Sequence, residues 1–389
     1  MHATHLHQLS ILIFGLLALG WLIQSIRAGA GLLKIPRISR ILPAPGSALP
    51  RISILFAARD EAEKLPAALA SLLAMDYPDY EVIAADDRSN DGTGEILDNF
   101  AHGNSRLRVV HIAALPCGWL GKPHALEMAA SFATGEWLLF TDADVHFDPL
   151  LVRRAITLSK EKKWDHLTLL ASVEMRGFWE KVAISYFVFC FMFGSQAWRV
   201  SDPKSTKYLG VGAFQLVRRA AYIASGTHKR LAMDVLDDMK LGKILKQSGF
   251  RSGIAAADGL VTVRWHAGVG NIIRGVTKNL FSLFRFRVAP TLACIVLILI
   301  SGVLPFVGMF IASGAAWVFS LIAAMTAVIV QGEMIHGGGE SRLYGLTHPI
   351  GAFIFIYMML RSMVVTLRQG GVVWRDTFYP LDELRRGIV

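Results

Sequence analysis

Two carboxylates end an apolar run in the first half of the chain. The stretch EWLLFTDADVHFDP, residues 136–149, carries Asp142 and Asp144 with a single alanine between them. Side chains two residues apart in a strand point to the same face, so this spacing predicts both carboxylates on one side. The two carboxylates would repel each other without a cation between them. Mg²⁺ or Mn²⁺ suits such oxygen ligands, and either ion in turn binds a diphosphate. The alternative for an isolated pair is a solvated acidic turn.

A second acidic motif also ends an apolar run. In VIAADDRSNDGT, residues 82–93, a predicted strand ends in Asp86 and Asp87, and the Ser, Asn, Asp and Gly that follow are typical of a turn before a helix. A carboxylate at this position can accept hydrogen bonds from a base or a ribose, as acids do after the second strand of nucleotide-binding folds. A capped turn without a ligand explains the same residues equally well.

Two further stretches place charged side chains in loops. AARDEAEKL, residues 57–65, follows the first predicted strand and puts Arg59 and Glu61 where a ligand would meet the chain, although helix capping also accounts for the acids. LPCGWLGKPHAL, residues 115–126, holds Lys122 in a loop before a helix, a position suited to facing phosphate. A lone lysine in such a loop is otherwise solvated.

A cluster of acids precedes a helical pattern later in the chain. MDVLDDMKLGKILKQSGF, residues 233–250, carries Asp234, Asp237 and Asp238 at the start of that pattern. Carboxylates near the start of a helix are most often caps, because they accept hydrogen bonds from its free N–H groups. The functional alternative is that one of them acts as a catalytic base.

The elements that must position these residues alternate from Ile52 to about Arg251. Short apolar runs predict the strands ISILFAA, YEVIAADD, LRVVHIA and WLLFTDAD, and EAEKLPAALASLLAM and PHALEMAASFA predict helices between them. Such alternation indicates an α/β fold in which crossover helices connect the strands of a parallel sheet. Ligands bind these sheets at the carboxyl ends of the strands, where the motifs above lie.

The composition indicates a membrane protein rather than a purely soluble one. Of the 389 residues, 53% are hydrophobic and only 18% are charged, and the mean hydropathy is +0.44. The net charge of +10 comes from basic residues that cluster beside apolar segments, which is typical of the cytoplasmic side of a membrane, and no nucleic-acid-binding motif accompanies them. The three cysteines suggest neither a disulfide framework nor a metal cluster and fit a reducing compartment.

The first membrane span is predicted at residues 9–26, a stretch just long enough to cross a bilayer core of roughly 30 Å. No Lys or Arg precedes it, which argues against a signal peptide, whereas five basic residues follow it before the first acid at Asp60. This asymmetry predicts an N-terminus outside and residue 27 onward in the cytoplasm. The Pro-rich stretch LPAPGSALP then predicts a linker.

The membrane pattern returns after residue 288. Residues 291–313 and 315–335 are predicted spans, and residues 349–367 form a third apolar segment. Basic residues before and after this region predict that both flanking segments lie in the cytoplasm. Three full spans would instead leave the C-terminal tail outside. Arg361 interrupts the last segment, which leaves open that this segment lies in the interface or re-enters the membrane.

The predicted division is residues 1–50, an anchor and linker; residues 51–287, the α/β domain; and residues 288–389, a membrane region with a short basic tail.

In their order and spacing these motifs resemble a known family. AARDEAEKL, DDRSNDGT, GWLGKPHAL, WLLFTDAD and VLDDMKLG are similar to the motifs of membrane-anchored family 2 glycosyltransferases, which implies the GT-A fold, a Rossmann-like nucleotide-sugar-binding domain. The resemblance covers about residues 50–287 and includes GAFQLVRRAAYIASGTHKR, residues 212–230. The membrane segments and VVWRDTFYPL are similar to relatives that act on isoprenoid lipids, such as hopene-associated and carotenoid glycosyltransferases.

The resemblance implies a donor site and a metal site. The residues implied in binding the nucleotide-sugar are Arg59, Glu61, Asp87, Lys122 and Asp142. Asp144 is implied as the ligand of a divalent metal, Mg²⁺ or Mn²⁺, with Asp142 beside it.

The resemblance also implies a base and an acceptor side. Asp238 is the implied base, and Asp237 stands where relatives often have Glu, which leaves open which aspartate acts. Arg264 and Trp265 match the end of an acceptor-side Q-x-x-R-W motif, which here is VTVRW with Val261 in the glutamine position. Processive polymer synthases usually keep the full motif, so this departure favours transfer of a single sugar.

The implied activity is inverting transfer of one sugar from a nucleotide-sugar, with UDP-sugars favoured, to a lipid or isoprenoid-like acceptor. The enzyme would be a multi-pass protein of the cell (inner) membrane with its catalytic domain in the cytoplasm. One alternative is a processive polysaccharide synthase, and another is a non-catalytic membrane scaffold with a degenerate GT-A domain.

Two other features have competing interpretations. His228 lies in SGTHKR, where relatives also tend to have a histidine, and either touches the acceptor or makes a structural hydrogen bond. Residues 178–193 form an aromatic-rich apolar stretch that either packs in a core or lies as a helix in the membrane interface.

Overall fold

The structure, a computed structural model, describes residues 2–45 and 49–389. The predicted linker LPAPGSALP includes residues 46–48, which lie outside the described residues. The chain divides into two compact units. A helical unit consists of Met1–Lys34, Met175–Gln196 and His266–Gln369, and an α/β unit consists of Ile35–Glu174, Ala197–Trp265 and Gly370–Val389.

Helices and strands alternate through the first part of the α/β unit. The helices of the chain are α1 His2–Leu32, α2 Leu65–Leu73, α3 Thr93–Gly103, α4 Gly121–Ser131, α5 Leu151–Lys162, α6 Phe178–Ser195, α7 Arg219–Ala224, α8 Asp237–Gln247, α9 Val269–Val276, α10 Val288–Ile298, α11 Leu304–Ile311, α12 Gly314–Gly337, α13 His348–Gln369 and α14 Leu381–Arg386. The strands are β1 Ile52–Ala58, β2 Tyr80–Asp87, β3 Leu107–Ile112, β4 Trp137–Asp142, β5 Val145–Phe147, β6 His166–Leu170, β7 Ser172–Val173, β8 Gln215–Arg218, β9 Ser252–Ala256, β10 Val261–Val263, β11 Gly371–Trp374 and β12 Thr377–Pro380.

A seven-stranded sheet in the order β3-β2-β1-β4-β8-β6-β9 forms the centre of the α/β unit. Strands β3, β2, β1 and β4 run parallel, as the alternation predicts, and β8 is inserted antiparallel between β4 and β6. The register pairs Ala57 with Asp142 and Ala58 with Asp86. The carboxyl ends of β2, β1 and β4 therefore meet, and the motifs that follow these strands lie side by side.

Both faces of this sheet are covered, which explains why its strands are continuous apolar runs. In β1, Ile54 and Phe56 pack in one hydrophobic cluster with Leu69 of α2. Leu55, between them in sequence, packs in a second cluster with Leu126 of α4. Full burial of one such side chain stabilises the fold by about 1.5–3 kcal/mol, so the two clusters hold the carboxyl ends of the strands in fixed positions.

A smaller sheet has the strand order β5-β10-β7. In it, β10 pairs antiparallel with β5, with Val263 opposite Val145, and parallel with β7. The VTVRW stretch is thereby brought beside the end of the TDAD motif. Sheet pairing, rather than proximity in sequence, produces this neighbourhood.

Residues 371–380 form a hairpin, here called the C-terminal hairpin. Its strands β11 and β12 pair antiparallel, with Trp374 opposite Thr377. The two turn residues, Arg375 and Asp376, have φ of 48° and 60°, as a two-residue turn with the right-handed twist of a hairpin requires. The sequence division places residues 370–389 in the membrane region, but the structure groups them with the α/β unit.

In the part of the chain that the structure describes, four helices are long and apolar enough to cross a membrane, and all belong to the helical unit. They are His5–Leu32, Val288–Ile311, Gly314–Gly337 and Arg342–Gln369. Each contains or overlaps one of the apolar segments predicted from the sequence. The third apolar segment, residues 349–367, is part of the last of these helices.

The aromatic-rich stretch at residues 178–193 belongs to α6. Its Tyr186 ring packs 5.9 Å from that of Phe355 in α13, whereas Phe178 and Trp179 at its start are exposed. Exposed aromatic rings of this kind are typical of a membrane interface. Because α6 packs through its apolar face on the other apolar helices, residues 175–196 group with those helices instead of with the α/β unit. Residues 266–287 also belong to the helical unit.

Candidate active site

The loops that follow β1 and β2 are bonded to each other. The Asp60 N–H donates to Ser89 Oγ at 3.1 Å, and the Asn90 N–H donates to Asp60 Oδ1 at 2.8 Å. The Glu61 N–H donates to Thr93 Oγ1 at 2.9 Å. Backbone groups that would otherwise need water are thus paired between the loops. The AARDEAEKL and DDRSNDGT motifs therefore form one continuous wall at the carboxyl end of the sheet.

The Asp87 carboxylate is buried between two guanidinium groups in this wall. Arg88 donates from Nε to Asp87 Oδ1 at 2.7 Å and from Nη2 to Oδ2 at 3.0 Å. Arg59 Nη1 lies 3.9 Å from Asp87 Oδ2, and Arg59 Nε is buried without a hydrogen-bond partner among the described residues. A buried donor without a partner is costly, and a ligand oxygen or nitrogen would satisfy it. The predicted nucleoside pocket thus presents guanidinium donors as well as the carboxylate.

Glu61 lies at the same end of the sheet and pairs with the C-terminal hairpin. Its carboxylate forms an ion pair with Arg375 in the hairpin turn. Burial raises the pKa of Glu61, and the nearby Asp144 raises it further, against the opposing effects of Arg375 and Lys64. The hairpin is therefore attached to one of the predicted donor-binding residues.

Lys122, the second residue of α4, connects two of the acidic motifs. Its Nζ donates to Asp142 Oδ1 at 2.5 Å and lies 4.0 Å from Asp237 Oδ2. Burial by itself lowers the pKa of Lys122, but Asp142, Asp237 and Asp238 outweigh this effect and the pKa is raised. The lysine is a fixed positive charge at a helix start, where free N–H groups also favour an anion. This position is compatible with the predicted phosphate-facing role.

Asp237 and Asp238 are the first two residues of α8. The N-cap residue is Leu236, so neither aspartate occupies the capping position. Asp238 accepts hydrogen bonds from the N–H groups of Gly212 at 3.0 Å and Met239 at 2.7 Å, and its side chain is half-buried. Asp237 is buried. Of the two carboxylates, that of Asp238 is thus the more accessible to an acceptor.

Asp144 does not continue the strand that ends in Asp142. The strand prediction WLLFTDAD extends two residues too far, because β4 ends at Asp142 and a turn follows before β5. The alternation argument for the two carboxylates therefore does not apply. Each instead has its own lysine: Asp142 bonds to Lys122, whereas Lys64 Nζ donates to Asp144 Oδ2 at 2.8 Å.

The two carboxylates fit a divalent metal that is shared with a diphosphate. Within residues 2–45 and 49–389, no group of three or more His, Cys, Asp and Glu side chains is arranged to hold a metal ion. Mg²⁺ and related ions are commonly held by one or two carboxylates together with substrate phosphates, and Asp142 and Asp144 supply that number. Their present partners, Lys122 and Lys64, are cations that such an ion would replace.

One of the predicted acceptor-side residues, Arg264, is linked to Asp144 through Lys64. Arg264 follows β10 and donates from Nη1 to the Glu174 carbonyl at 3.2 Å. Lys64 Nζ contacts both Asp144 and, at 3.5 Å, the Arg264 carbonyl. Trp265 follows and is half-buried. The structure therefore brings Asp144 and Arg264 together through Lys64.

Two other residues from the acidic and histidine motifs have structural partners. His228 is buried, its Nδ1 lies 2.8 Å from the Tyr222 hydroxyl, and burial lowers its pKa to about 3. This is the structural hydrogen bond that the sequence left as one of two interpretations. Asp234 accepts from the Leu236 N–H at 3.1 Å and lies 3.5 Å from Lys240 Nζ, so it stabilises the turn before α8.

Three residues of this region were not singled out from the sequence. Lys64 and Arg88 lie inside quoted motifs, and Arg88 has a positive φ of 61°, a conformation that usually favours glycine. The positive φ is a feature of the structure. In the sequence, the available signal was the position of Arg88 in the turn directly after Asp87. Tyr379 of the C-terminal hairpin, whose hydroxyl accepts from the Gly121 N–H at 3.3 Å, lies inside the quoted stretch VVWRDTFYPL, which was related to the acceptor and not to the donor.

Comparison with known proteins relates the chain to glycosyltransferases. Residues 53–181 match the sequence profile of the family described as Glycosyl transferase family 2. A 4,4'-diaponeurosporenoate glycosyltransferase of Staphylococcus haemolyticus is 26% identical over 240 residues, which are 60% of this chain and 62% of that relative, less than two thirds of its length. A protein of the same name from Staphylococcus aureus is 23% identical over 343 residues, which are 85% of this chain and 89% of that relative.

A solved structure shares the fold. A mannosyltransferase of Pyrobaculum calidifontis, in complex with GDP-Man and Mn²⁺, superposes with a TM-score of 0.55 over 92% of this chain and 99% of that chain, at 18% identity. Likeness at this identity is a likeness of fold, and it confirms the predicted α/β GT-A class. With the profile match, it leads to one conclusion: residues 53–181 are similar to the glycosyltransferase family 2 domain, within an α/β unit of the GT-A class.

Proposed function

We propose that this protein is a membrane-attached, inverting glycosyltransferase that moves one sugar from a nucleoside-diphosphate sugar to a lipid acceptor of isoprenoid type. UDP-sugars are the first donors to test. The acceptor class is supported by the curated relatives, whose names specify a long polyene carboxylic acid. It is also supported by the four apolar helices, which would keep the enzyme where such a lipid dissolves.

The observation that carries the proposal is the position of Lys122. One ammonium group at the start of α4 contacts Asp142 of the TDAD motif and Asp237 of the acidic motif before α8. A phosphate-binding cation and the proposed base motif are therefore neighbours. Transfer chemistry needs this arrangement, because the leaving diphosphate and the attacking hydroxyl or carboxyl both act on one sugar carbon.

Asp238 is the proposed base. With a hydroxyl acceptor, or a carboxyl acceptor bound in its protonated form, it takes the acceptor proton while the acceptor oxygen attacks the sugar carbon on the face opposite the diphosphate, which leaves. The N–H groups of Gly212 and Met239 hold its carboxylate in place, so the base does not need to be ordered during the reaction. Lys122 stabilises the negative charge that develops on the leaving diphosphate.

Asp142 and Asp144 are the proposed metal-binding pair. A divalent metal, when bound, supplies Lewis-acid stabilisation of the diphosphate. Arg59, Glu61 and Asp87 form the proposed nucleoside end of the donor site, and Arg264 with Trp265 forms the proposed acceptor side. The change to Val261 in VTVRW supports transfer of a single sugar over polymer synthesis.

The test is a transfer assay on membranes that contain the full chain. Radiolabelled UDP-glucose, UDP-N-acetylglucosamine and GDP-mannose are supplied with a long polyene carboxylic acid or alcohol, and the products are separated into lipid extract and insoluble polymer. We expect label in a lipid that carries one sugar. Mass spectrometry should show the mass increase of one hexosyl or N-acetylhexosaminyl residue, according to the donor, and Asp238→Asn should lose most of the label.

Other outcomes of the same assay would contradict the proposal. Label in an insoluble polymer would identify a processive synthase. Absence of transfer with all donors, from a folded protein, would favour the non-catalytic scaffold.

A further inference from the structure

The C-terminal hairpin reaches the region proposed to bind the nucleoside. The Tyr379 hydroxyl accepts a hydrogen bond from the Gly121 N–H at the start of α4, at 3.3 Å. Arg59 Nη1 donates to Thr377 Oγ1 at 3.4 Å. With the ion pair between Glu61 and the hairpin turn, the hairpin contacts the loop after β1 and the start of α4. These contacts are polar, and two of them fall on predicted donor-site residues, Arg59 and Glu61.

Arg88 connects the hairpin to Asp87. Its guanidinium bonds both oxygens of the Asp87 carboxylate, and it lies near the Tyr379 phenol. A bidentate arginine–carboxylate pair fixes orientation as well as distance. The Tyr379 hydroxyl is bonded to the Gly121 N–H, so the phenol lies where the start of α4 meets the Asp87–Arg88 pair.

The backbone at Arg88 is strained to make this arrangement possible. Its φ of 61° lies in the left-handed region, where a residue with a Cβ costs on the order of 1–3 kcal/mol. A glycine would adopt this conformation without that cost. Strain of this kind persists where the surrounding contacts hold it, and it is concentrated at functional sites.

Gly121 shows how closely the three groups approach. A Cβ on Gly121 would lie against Asp87 Oδ2 and within 3.1 Å of Arg88 Nη2. Only glycine allows the start of α4 to come this near to the Asp87–Arg88 pair. The first N–H groups of α4, the carboxylate and the guanidinium therefore form one polar surface at the carboxyl end of the sheet.

We propose that Arg88 and Tyr379 are positioning residues for the nucleoside of the donor, and that the C-terminal hairpin is part of the donor site. The proposal rests on the proposed function. Arg88 holds the Asp87 carboxylate, and Tyr379 holds the Gly121 N–H beside that pair, so that base and ribose meet groups that are already ordered. Groups ordered in advance bind more tightly because less freedom is lost on binding.

The experiment compares nucleosides with nucleotides on the full-length protein. Affinities for UDP, uridine, GDP and guanosine are measured by calorimetry in the presence of Mn²⁺ for the wild type and for Tyr379→Phe, Arg88→Gly and Asp144→Ala. A lost hydrogen bond is worth about 1 kcal/mol, so we expect Tyr379→Phe to weaken the nucleoside that the wild type binds, and its diphosphate, by the same factor of about five. Asp144→Ala should weaken only the diphosphate.

Arg88→Gly distinguishes positioning from a purely structural role. Glycine removes the backbone strain, which offsets part of the stability lost with the buried Asp87–Arg88 pair. In protein that remains folded, nucleoside affinity should fall by about tenfold or more, because a charge-assisted pair is lost. Val373→Thr is the matched control in the hairpin: this exposed, β-branched position has no contact with the donor loops among the described hydrogen bonds, and the affinities should be unchanged.

Two results would overturn the inference, and they are distinguishable. If wild-type protein transfers sugar but Tyr379→Phe and Arg88→Gly bind nucleoside as the wild type does, the inference is wrong and the proposed function stands. If the wild type binds neither nucleotide and transfers no sugar, the proposed function is wrong and the inference fails with it.

Discussion

At the scale of single residues, Asp237 and Asp238 differ in their surroundings. Asp237 is buried beside Lys122, whereas the Asp238 carboxylate is held by the Gly212 and Met239 N–H groups and remains partly exposed. A base must reach the acceptor proton, so exposure favours Asp238. We propose a positioning role for Asp237, from its contact with Lys122. Substitutions of Asp237 and of Asp238 should therefore have different kinetic effects.

Asp238→Asn tests this difference. Asparagine keeps the shape but cannot take a proton, so turnover should fall by about 10²–10⁴-fold while donor affinity changes little. Asn has one acceptor oxygen for two N–H groups, so we expect a stability loss on the order of 1 kcal/mol. Single-turnover kinetics and nucleotide titration measure both effects.

Asp237→Asn is the comparison, and a milder loss of turnover is expected for it. Near-normal turnover of Asp238→Asn would rule out Asp238 as the base. A larger loss with Asp237→Asn than with Asp238→Asn would transfer the role to Asp237.

Asp144 provides a second prediction at this scale. If the two TDAD carboxylates hold a metal, UDP affinity should require Mg²⁺ or Mn²⁺ and fade with a chelator. Asp144→Ala should weaken UDP binding on the order of ten- to a hundredfold. The unfolding free energy should change by less than about 1 kcal/mol, because the partner Lys64 is exposed and such ion pairs contribute little.

Asp79→Ala is the matched control for this charge change. Asp79 also forms an exposed ion pair, with Arg51 at 2.6 Å, but it precedes β2 and lies at the opposite end of the sheet. The Asp79→Ala substitution should leave UDP affinity unchanged. UDP affinity of the wild type that is insensitive to metal would contradict the metal assignment.

At the scale of elements, the start of α4 must approach the end of β2 closely. Gly121 is the residue that permits it, because a Cβ there would collide with the Asp87 carboxylate and crowd Arg88. Gly121→Ala should therefore displace the start of the helix and lower affinity for the donor nucleotide by about tenfold or more, with secondary structure retained. Nucleotide titration together with circular dichroism measures this.

Gly103→Ala is the control for that substitution. Gly103 is the last residue of α3, and a Cβ there meets no atom within 4 Å. Alanine should bind nucleotide as the wild type does and should not destabilise the protein. If Gly121→Ala behaves like Gly103→Ala, the close approach has no role in binding.

At the scale of the whole molecule, the C-terminal hairpin limits the membrane topology. The chain leaves the α/β unit after Trp265 and rejoins it at Gly370, and three apolar helices lie between. A segment that leaves and rejoins a unit on one side of a bilayer crosses it an even number of times. We therefore propose that Val288–Ile311 and Gly314–Gly337 cross, and that the helix containing Arg361 does not complete a crossing.

Cysteine labelling tests this topology. In protein without native cysteines, Ser313→Cys, between the two proposed spans, should react with an impermeant maleimide in intact cells. Gly337→Cys, at the end of the second span, and a cysteine at Arg51 should react only after permeabilisation. An added Cβ at Gly337 meets no atom within 4 Å, so the substitution should be tolerated. Labelling of Gly337→Cys from outside would contradict the proposed topology, and labelling at residue 51 from outside would contradict cytoplasmic access to nucleotide-sugars.

The amino-acid sequence by itself determined where the first strands lie and at which of their ends the acidic motifs stand. The bounds of β1 and β2 are those of the apolar runs ISILFAA and YEVIAADD. Strands buried on both faces are continuous apolar runs, and the acids after them mark the strand ends, so both features are readable from neighbouring residues. The resemblance of the motifs extended this to the GT-A class.

Only the tertiary structure decided which of these residues meet. Arg375 pairs with Glu61 across 314 positions, and Lys64 pairs with Asp144 across 80. The antiparallel insertion of β8 and the return of the C-terminal hairpin to the α/β unit are likewise absent from the local pattern. Periodicity reports how one segment is buried, whereas sheet order and loop contacts depend on segments that are distant in sequence and become neighbours only in the folded chain.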